Sequence, residues 1–270
     1  MNIWHCNRIL AILILLISLS AQSQKNEFGI TAGGTYYMGD LNPNMHFAMT
    51  RIGGGALYRR NINEHFALRL NGLYGSVQAN DAVIGYNTER NLNFRSSIIE
   101  LSAQTEINFL PFINGGKDNL NSFYLLAGVG AFRFNPKADV NGQWVELRPL
   151  RTEGQGSELY PDRQIYSKYS YVLIFGAGMK FIVSERMSIG IEWAMRRTGT
   201  DYLDDVSTIY PDPSALSGTG SLLSDRSLDN SATVGSYRGN PYTKDWYSFA
   251  GLTLTYNIKN PSNLKCPVYN

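Results

Sequence analysis

The sequence of 270 residues is short of charge, of cysteine and of long apolar runs. Asp, Glu, Lys and Arg make up 17% of it, where an average soluble chain has about 25%. The 24 basic and 22 acidic residues leave a net charge of +2, which gives no electrostatic footprint for a nucleic-acid partner. One run alone, Ile9 to Leu19, is continuously apolar. It falls well short of the roughly 20 residues that a spanning helix needs. With a mean hydropathy of −0.21, a helical transporter is excluded. Two cysteines are too few for a disulfide scaffold, and no collagen or coiled-coil repeat is present. What the chain does hold is 26 Gly, 17 Tyr, 12 Phe and 4 Trp. Abundant Gly and aromatics without helical runs point to an all-β protein.

Residues 1–23 read as a secretory signal peptide: Arg8 is the basic head, Ile9 to Leu19 the apolar core, and Ser20-Ala21-Gln22-Ser23 a small-residue cleavage region. Cys6 precedes the apolar core, where a lipoprotein signal would place its cysteine after it. Removing this segment leaves Cys266 as the single cysteine of the mature chain. An exported lone thiol is either free or half of an intermolecular bond.

Beyond the signal, apolar residues recur with period two. Met187, Ile189, Ile191, Trp193 and Met195 share one face, while Ser188, Gly190, Glu192, Ala194 and Arg196 share the other. Ile99, Leu101, Ala103, Ile107 and Phe109 alternate with Glu100, Ser102, Gln104, Glu106 and Asn108 in the same way. Similar patterns around Phe66–Tyr74 and Tyr171–Phe181, with four Gly-rich segments, give about eight strands of ten to sixteen residues. Short turns are expected at 61–64, 111–119 and 184–186. Longer segments, 39–48, 78–93, 135–168 and 199–244, fall between them. Short turns on one side and long loops on the other is the layout of an outer-membrane barrel. The expected fold is thus a small antiparallel transmembrane β-barrel over residues 24–258, with a periplasmic tail over 259–270 and both termini in the periplasm.

The polar face collects Arg51, Arg59, Arg69, Glu100, Gln104, Glu106, Lys180, Glu192 and Arg196. An eight-stranded barrel is just wide enough for side chains to fill. A packed lumen of ion pairs is therefore expected rather than a conduction path. Tyr36, Tyr37, Tyr58, Tyr169, Tyr171, Trp193, Trp246, Tyr247 and Tyr256 lie near strand ends, where barrels carry aromatic girdles.

Signals for chemistry are thin. His46 lies in the first long loop and His65 at a strand start. No nucleophile elbow, His-Glu metal helix or phosphate-cradling loop is present, and no cofactor or small-molecule substrate is expected. In Asp201-Tyr202-Leu203-Asp204-Asp205, three carboxylates within five residues have the chemistry to bind Ca²⁺. They have equally the chemistry to fold the loop through backbone hydrogen bonds. Their spacing is not that of an EF-hand, which favours the structural role for Asp201, Tyr202, Asp204 and Asp205.

Four blocks carry a family likeness. They are Phe28 to Pro43, which contains Gly39-Asp40-Leu41-Asn42-Pro43; Arg197 to Ser207; Arg238-Gly239-Asn240-Pro241 with Asp245-Trp246-Tyr247; and the closing Lys265-Cys266-Pro267. In these the mature chain resembles the PorG family of Bacteroidota outer-membrane proteins. That resemblance implies a structural, non-enzymatic role in the type IX secretion system, which also supports gliding motility. It further implies association with a periplasmic ring of a PorK-type lipoprotein and a PorN-type subunit, besides contact with outer-membrane lipid. Joined to the cysteine count, it suggests a disulfide from Cys266 to the ring, with the lipoprotein as partner. Two rival readings stay open. One is a lipid-A-modifying barrel enzyme using His46, and the other is a surface adhesin-type barrel binding ligands through its long loops.

Overall fold

The computed structural model describes residues 25–112, 119–228 and 232–258. The expected signal peptide (1–23) and the tail that carries Cys266 lie outside these residues. Eight strands form the wall: β1 (Lys25–Met38), β2 (Arg51–Asn61), β3 (Phe66–Asn80), β4 (Asn93–Asn108), β5 (Asn121–Val140), β7 (Tyr169–Ile182), β8 (Met187–Thr198) and β9 (Trp246–Ile258). A short strand β6 (Gln143–Glu146) pairs only with the end of β5.

Every wall strand is antiparallel to its neighbours in sequence, and the cylinder closes where β1 pairs with β9 from Asn26↔Ile258 to Met38↔Trp246. This is a closed eight-stranded antiparallel β-barrel, which leaves no sheet edge exposed in the wall. The start of β1 and the end of β9 sit at the same end as the connections 62–65 and 183–186. The opposite end carries the segments 39–50, 141–168 and 199–245. Among the described residues no helix is long and apolar enough to cross a membrane, which says nothing about crossing by strands.

The period-two reading holds along β4 and β8. On β8, Ile189, Ile191 and Trp193 are exposed, while Ser188, Glu192 and Arg196 are buried. On β4, Leu101 is 69% exposed and Glu106 is fully buried. Apolar side chains thus cover the outside and charged ones the inside, the reverse of a soluble fold. An apolar belt of this extent is not compatible with water on the outer wall. Each wall strand has at least 11 residues, and a tilted strand crosses a bilayer core in about 9–11.

Inside, the lumen has two layers. Towards the short-turn end, Arg59 Nη1 meets Glu27 Oε2 at 2.8 Å and Arg59 Nε meets Glu106 Oε2 at 2.8 Å. Glu106 also pairs with Arg69 and Lys180, and Arg69 pairs with Glu192. Tyr124 donates to Glu192 at 2.8 Å. A little higher, Arg196 Nε donates to Glu100 Oε2 at 2.7 Å, and the Tyr247 hydroxyl donates to the same oxygen at 2.8 Å. The expected filling by ion pairs is what the structure contains. Above it lies an apolar layer that includes Val77, Phe94, Ile98, Phe132, Phe134, Val172 and Ile174.

Four expectations need correction. The β4–β5 connection spans 109–120, as long as 39–50 and 81–92, so loop lengths segregate less cleanly than the sequence suggests. β5 has 20 residues rather than at most sixteen, because it stays paired with β4 up to Lys137 and Ala138–Val140 continue beyond to pair with β6. Tyr37 and Tyr247, assigned to the outer girdle, point into the lumen and are fully buried; one residue of phase on a strand decides the face, and both hydroxyls bind carboxylates inside. Tyr36 does face outwards but is also fully buried, because the 39–50 segment folds over it.

Candidate functional site

The sequence blocks that stand out converge at the mouth of the barrel. Leu41, Leu203 and Val206 are buried in one cluster with Tyr37, Phe94 and Tyr247. The segment 200–207 therefore closes the mouth by inserting its apolar residues between the strand ends. Tyr202 stacks on Tyr166 with ring centroids 4.6 Å apart, and Tyr166 lies parallel to Phe134 at 6.1 Å. Burial of these rings stabilises the cap, at roughly 25 cal/mol per Å² of apolar surface.

The acidic residues hold backbone and hydroxyl groups. Asp204 Oδ1 accepts from the Val206 amide at 2.9 Å, and Asp201 Oδ2 from the Ser207 hydroxyl at 2.6 Å. Asp205, at φ 67°, accepts from the hydroxyls of Thr152 and Tyr166. Asp245 Oδ2 accepts from the Leu203 amide at 2.9 Å. Among the described residues no group of three His, Cys, Asp or Glu side chains is placed to hold a metal. Asp201 and Asp204 bond groups of their own loop, while Asp204 also reaches Tyr37 on β1 and Asp205 the segment 152–166.

Sequence reasoning missed several partners. Glu153 accepts from the amides of Ser207 and Thr208 at 2.9 and 3.1 Å and pairs with Arg238 at 3.1 Å. Arg90 forms a two-pronged bond to Asp81, Nε to Oδ2 at 2.9 Å and Nη2 to Oδ1 at 2.7 Å. Arg90 also donates to the carbonyls of Arg238 and Asp40, both at 2.9 Å. One clasp thereby ties loops from three parts of the chain. Two glycines are fixed by close approach: a Cβ on Gly39 would lie 2.1 Å from the Tyr37 hydroxyl, and one on Gly239 would lie 2.3 Å from Asp40 Oδ2.

The cap carries more acid than base. Six carboxylates, Asp81, Glu153, Asp201, Asp204, Asp205 and Asp245, are buried against two guanidinium groups, Arg90 and Arg238. Burial pushes Asp201 up to about 7 and Asp205 up to about 6. Asp40 is raised to about 6, again by burial. Asp204 and Asp245 are both held well above the ordinary range by burial and by charge on neighbouring carboxylates. Geometry gives the same answer without any titration argument. The Tyr37 hydroxyl lies 2.6 Å from Asp204 Oδ2 and 2.7 Å from Asp245 Oδ1. A phenol has one proton, so one of the two carboxyls must supply the other.

His46 is on the outer wall. Its Nδ1 lies 3.2 Å from the Tyr36 hydroxyl, which accepts from Trp193 Nε1 at 2.9 Å. Its other ring contacts are with Phe47 and Trp193. His65 caps the carbonyl of Asn108 at 2.9 Å.

A family model described as a domain of unknown function, DUF6089, matches residues 7–267. The chain belongs to that family. No curated protein matches the DUF6089 chain. Several solved outer-membrane proteins are similar to it in structure. Neisserial surface protein A is 10% identical, with 86% of this chain and 97% of that one covered, at a TM-score of 0.44. Ail of Yersinia pestis is 10% identical, with 88% and 100% covered, at 0.41. OprG of Pseudomonas aeruginosa is 12% identical, with 88% and 99% covered, at 0.40. The closed barrel itself rests on the strand pairing given above.

Proposed function

We propose that this protein is a structural, non-enzymatic subunit of the type IX secretion system. In this reading it is an outer-membrane barrel that anchors a periplasmic ring of PorK-type and PorN-type subunits. The observation that carries the non-conducting, anchoring part is the lumen. Four carboxylates and four cations fill it, an apolar layer lies above them, and a folded cap closes the mouth. Such a barrel offers the membrane a rigid post rather than a path. The apolar outer belt supports placement in the outer membrane, the compartment that houses closed β-barrels.

The secretion role comes from the resemblance in the blocks 28–43, 197–207 and 238–247, since residues of all three build one cap. The short-turn end, where β1 begins and β9 ends, is the natural periplasmic docking face. In this reading Cys266, in the sequence that follows β9, pairs with the periplasmic lipoprotein. An enzymatic reading through His46 would want a carboxylate or nucleophile against the ring, whereas its neighbours are Tyr36, Phe47 and Trp193.

Affinity purification of the tagged chain from outer membranes, followed by non-reducing gels, tests the proposal. Ring subunits should co-purify, and a thiol-sensitive heterodimer should vanish on Cys266→Ser. Purification without ring proteins would refute the secretion role. An unchanged gel pattern on Cys266→Ser would remove the disulfide alone. His46→Ala should leave lipid A unchanged by mass spectrometry, and an altered lipid A would instead support the enzyme.

A further inference from the structure

The first long loop does not stay at the mouth. From Pro43 onwards it runs down the outside of the wall, where His46 and Phe47 cover Tyr36 and His46 faces Trp193. There Met45 is 50% and Phe47 55% exposed, turned outwards next to the lipid-facing surface. Phe47 and Met49 hold left-handed backbone, at φ 63° and 48°, which bulky side chains rarely adopt. The segment is kept there by Asn42, whose side chain bonds both the carbonyl and the amide of Met45 at 2.9 and 3.0 Å. The Thr50 hydroxyl adds a bond to the Phe47 carbonyl at 2.6 Å.

Beside this strap is a groove of about 360 Å³. Its lower wall is Met38, Met195 and Trp246, on β1, β8 and β9, and Pro43 forms part of its edge. Its upper side is polar: Asn240, Thr243 and Lys244 from the last loop. Lys244 is exposed, and its charge acts on the Asp201 carboxylate. Asp40 also lines the groove, but both its oxygens accept from the Asn240 amide, at 3.1 and 3.0 Å. The groove is thus apolar where it continues the membrane face and presents the Lys244 ammonium where it meets water.

We propose that this groove and the adjoining strap bind an anionic lipid of the outer leaflet, with its phosphate on Lys244 and its acyl chains against Met195, Trp246 and Phe47. The inference rests on the outer-membrane reading but not on the secretion role. An ammonium at the water line above an apolar wall matches a phosphate ester carrying hydrocarbon. The aromatic Trp246 suits the depth at which headgroup and chain meet.

Native mass spectrometry of the full chain released from nanodiscs tests this, using lipid A and phosphatidylglycerol as anionic probes and phosphatidylethanolamine as the zwitterionic one. Anionic lipid should be retained preferentially. Lys244→Glu should reduce retention about tenfold, the loss of one charge-assisted contact, and Lys244→Arg should restore it. Phe47→Ser should weaken retention of every lipid class, and excess inorganic phosphate should not compete. Equal retention of zwitterionic lipid, or an unchanged spectrum for Lys244→Glu in a barrel that still inserts, would overturn the proposal. Competition by phosphate alone would replace the lipid with a free anion. A chain that fails to enter nanodiscs would instead sink the membrane reading on which the proposal stands.

Discussion

The lumen and the cap solve the same problem, a set of buried charges, in opposite ways. In the lumen four carboxylates meet four cations, and each acid has a cation within reach. In the cap six carboxylates meet two guanidinium groups, and the balance is made up by hydroxyls, amides and protons. A balanced lumen pairs its charges within itself and needs nothing from solvent. An acid-rich cap takes up protons as it folds. The wall is therefore a fixed frame, while the cap's stability depends on pH.

The largest effect should come from unbalancing the lumen. Glu106 is shared by Arg59, Arg69 and Lys180, so Glu106→Leu leaves buried cations uncompensated. A loss of about 3–5 kcal/mol is expected, read from urea unfolding of the barrel in lipid vesicles. Loss below 1 kcal/mol would show that water already enters the lumen. Next comes Gly39→Ala, where the added methyl meets the Tyr37 hydroxyl and Asp245. The cap should loosen by about 1–3 kcal/mol and become open to protease in segment 199–245, with the barrel itself intact.

A smaller change, of opposite sign, should follow Asp204→Asn. The amide oxygen still accepts from the Val206 amide, its NH2 donates to the Tyr37 hydroxyl, which then donates to Asp245, and no charge is carried. Cap stability should rise by on the order of 1 kcal/mol for each unit of raised pKa that is removed, at pH 8 and not at pH 4. Destabilisation at pH 8 would mean that the carboxylate is needed as an anion. The smallest effect belongs to Lys168→Ala at the rim. Its partner Glu146 is 41% exposed, and a pair so screened is worth less than about 1 kcal/mol.

Much of the frame could be read from the sequence. Alternation alone placed Arg59, Arg69, Glu100, Glu106, Lys180, Glu192 and Arg196 on one face, because lipid outside and ion pairs inside impose a strict period of two. That signal fails where β1 turns aromatic: Tyr36 and Tyr37 are adjacent and chemically alike, and only the cap decides what each one meets. The cap was legible as motifs but not as contacts. Tyr37 reaches Asp204 and Asp245 across 167 and 208 residues of chain, and the clasp of Arg90 on the Arg238 carbonyl spans 148. No local pattern encodes such separations. The descending strap at Met45–Phe47 left no signal either, since its path depends on the Asn42 side chain and two strained residues.

The contrast between balanced lumen and proton-demanding cap is tested most directly by hydrogen exchange on the intact protein in nanodiscs at pH 5 and pH 8, corrected for intrinsic rates. Asp40, Asp201 and Asp205 are raised in the fold from an ordinary 3.8 to about 6, 7 and 6. Their contribution is fully present below about pH 4 and is lost as pH rises through 6 to 7. Amides of 200–207 and of 153–154 should therefore lose protection at pH 8, while those of β3, β4 and β8 stay unchanged. Equal protection of the cap at both values, or loss in the wall strands together with the cap, would contradict the account.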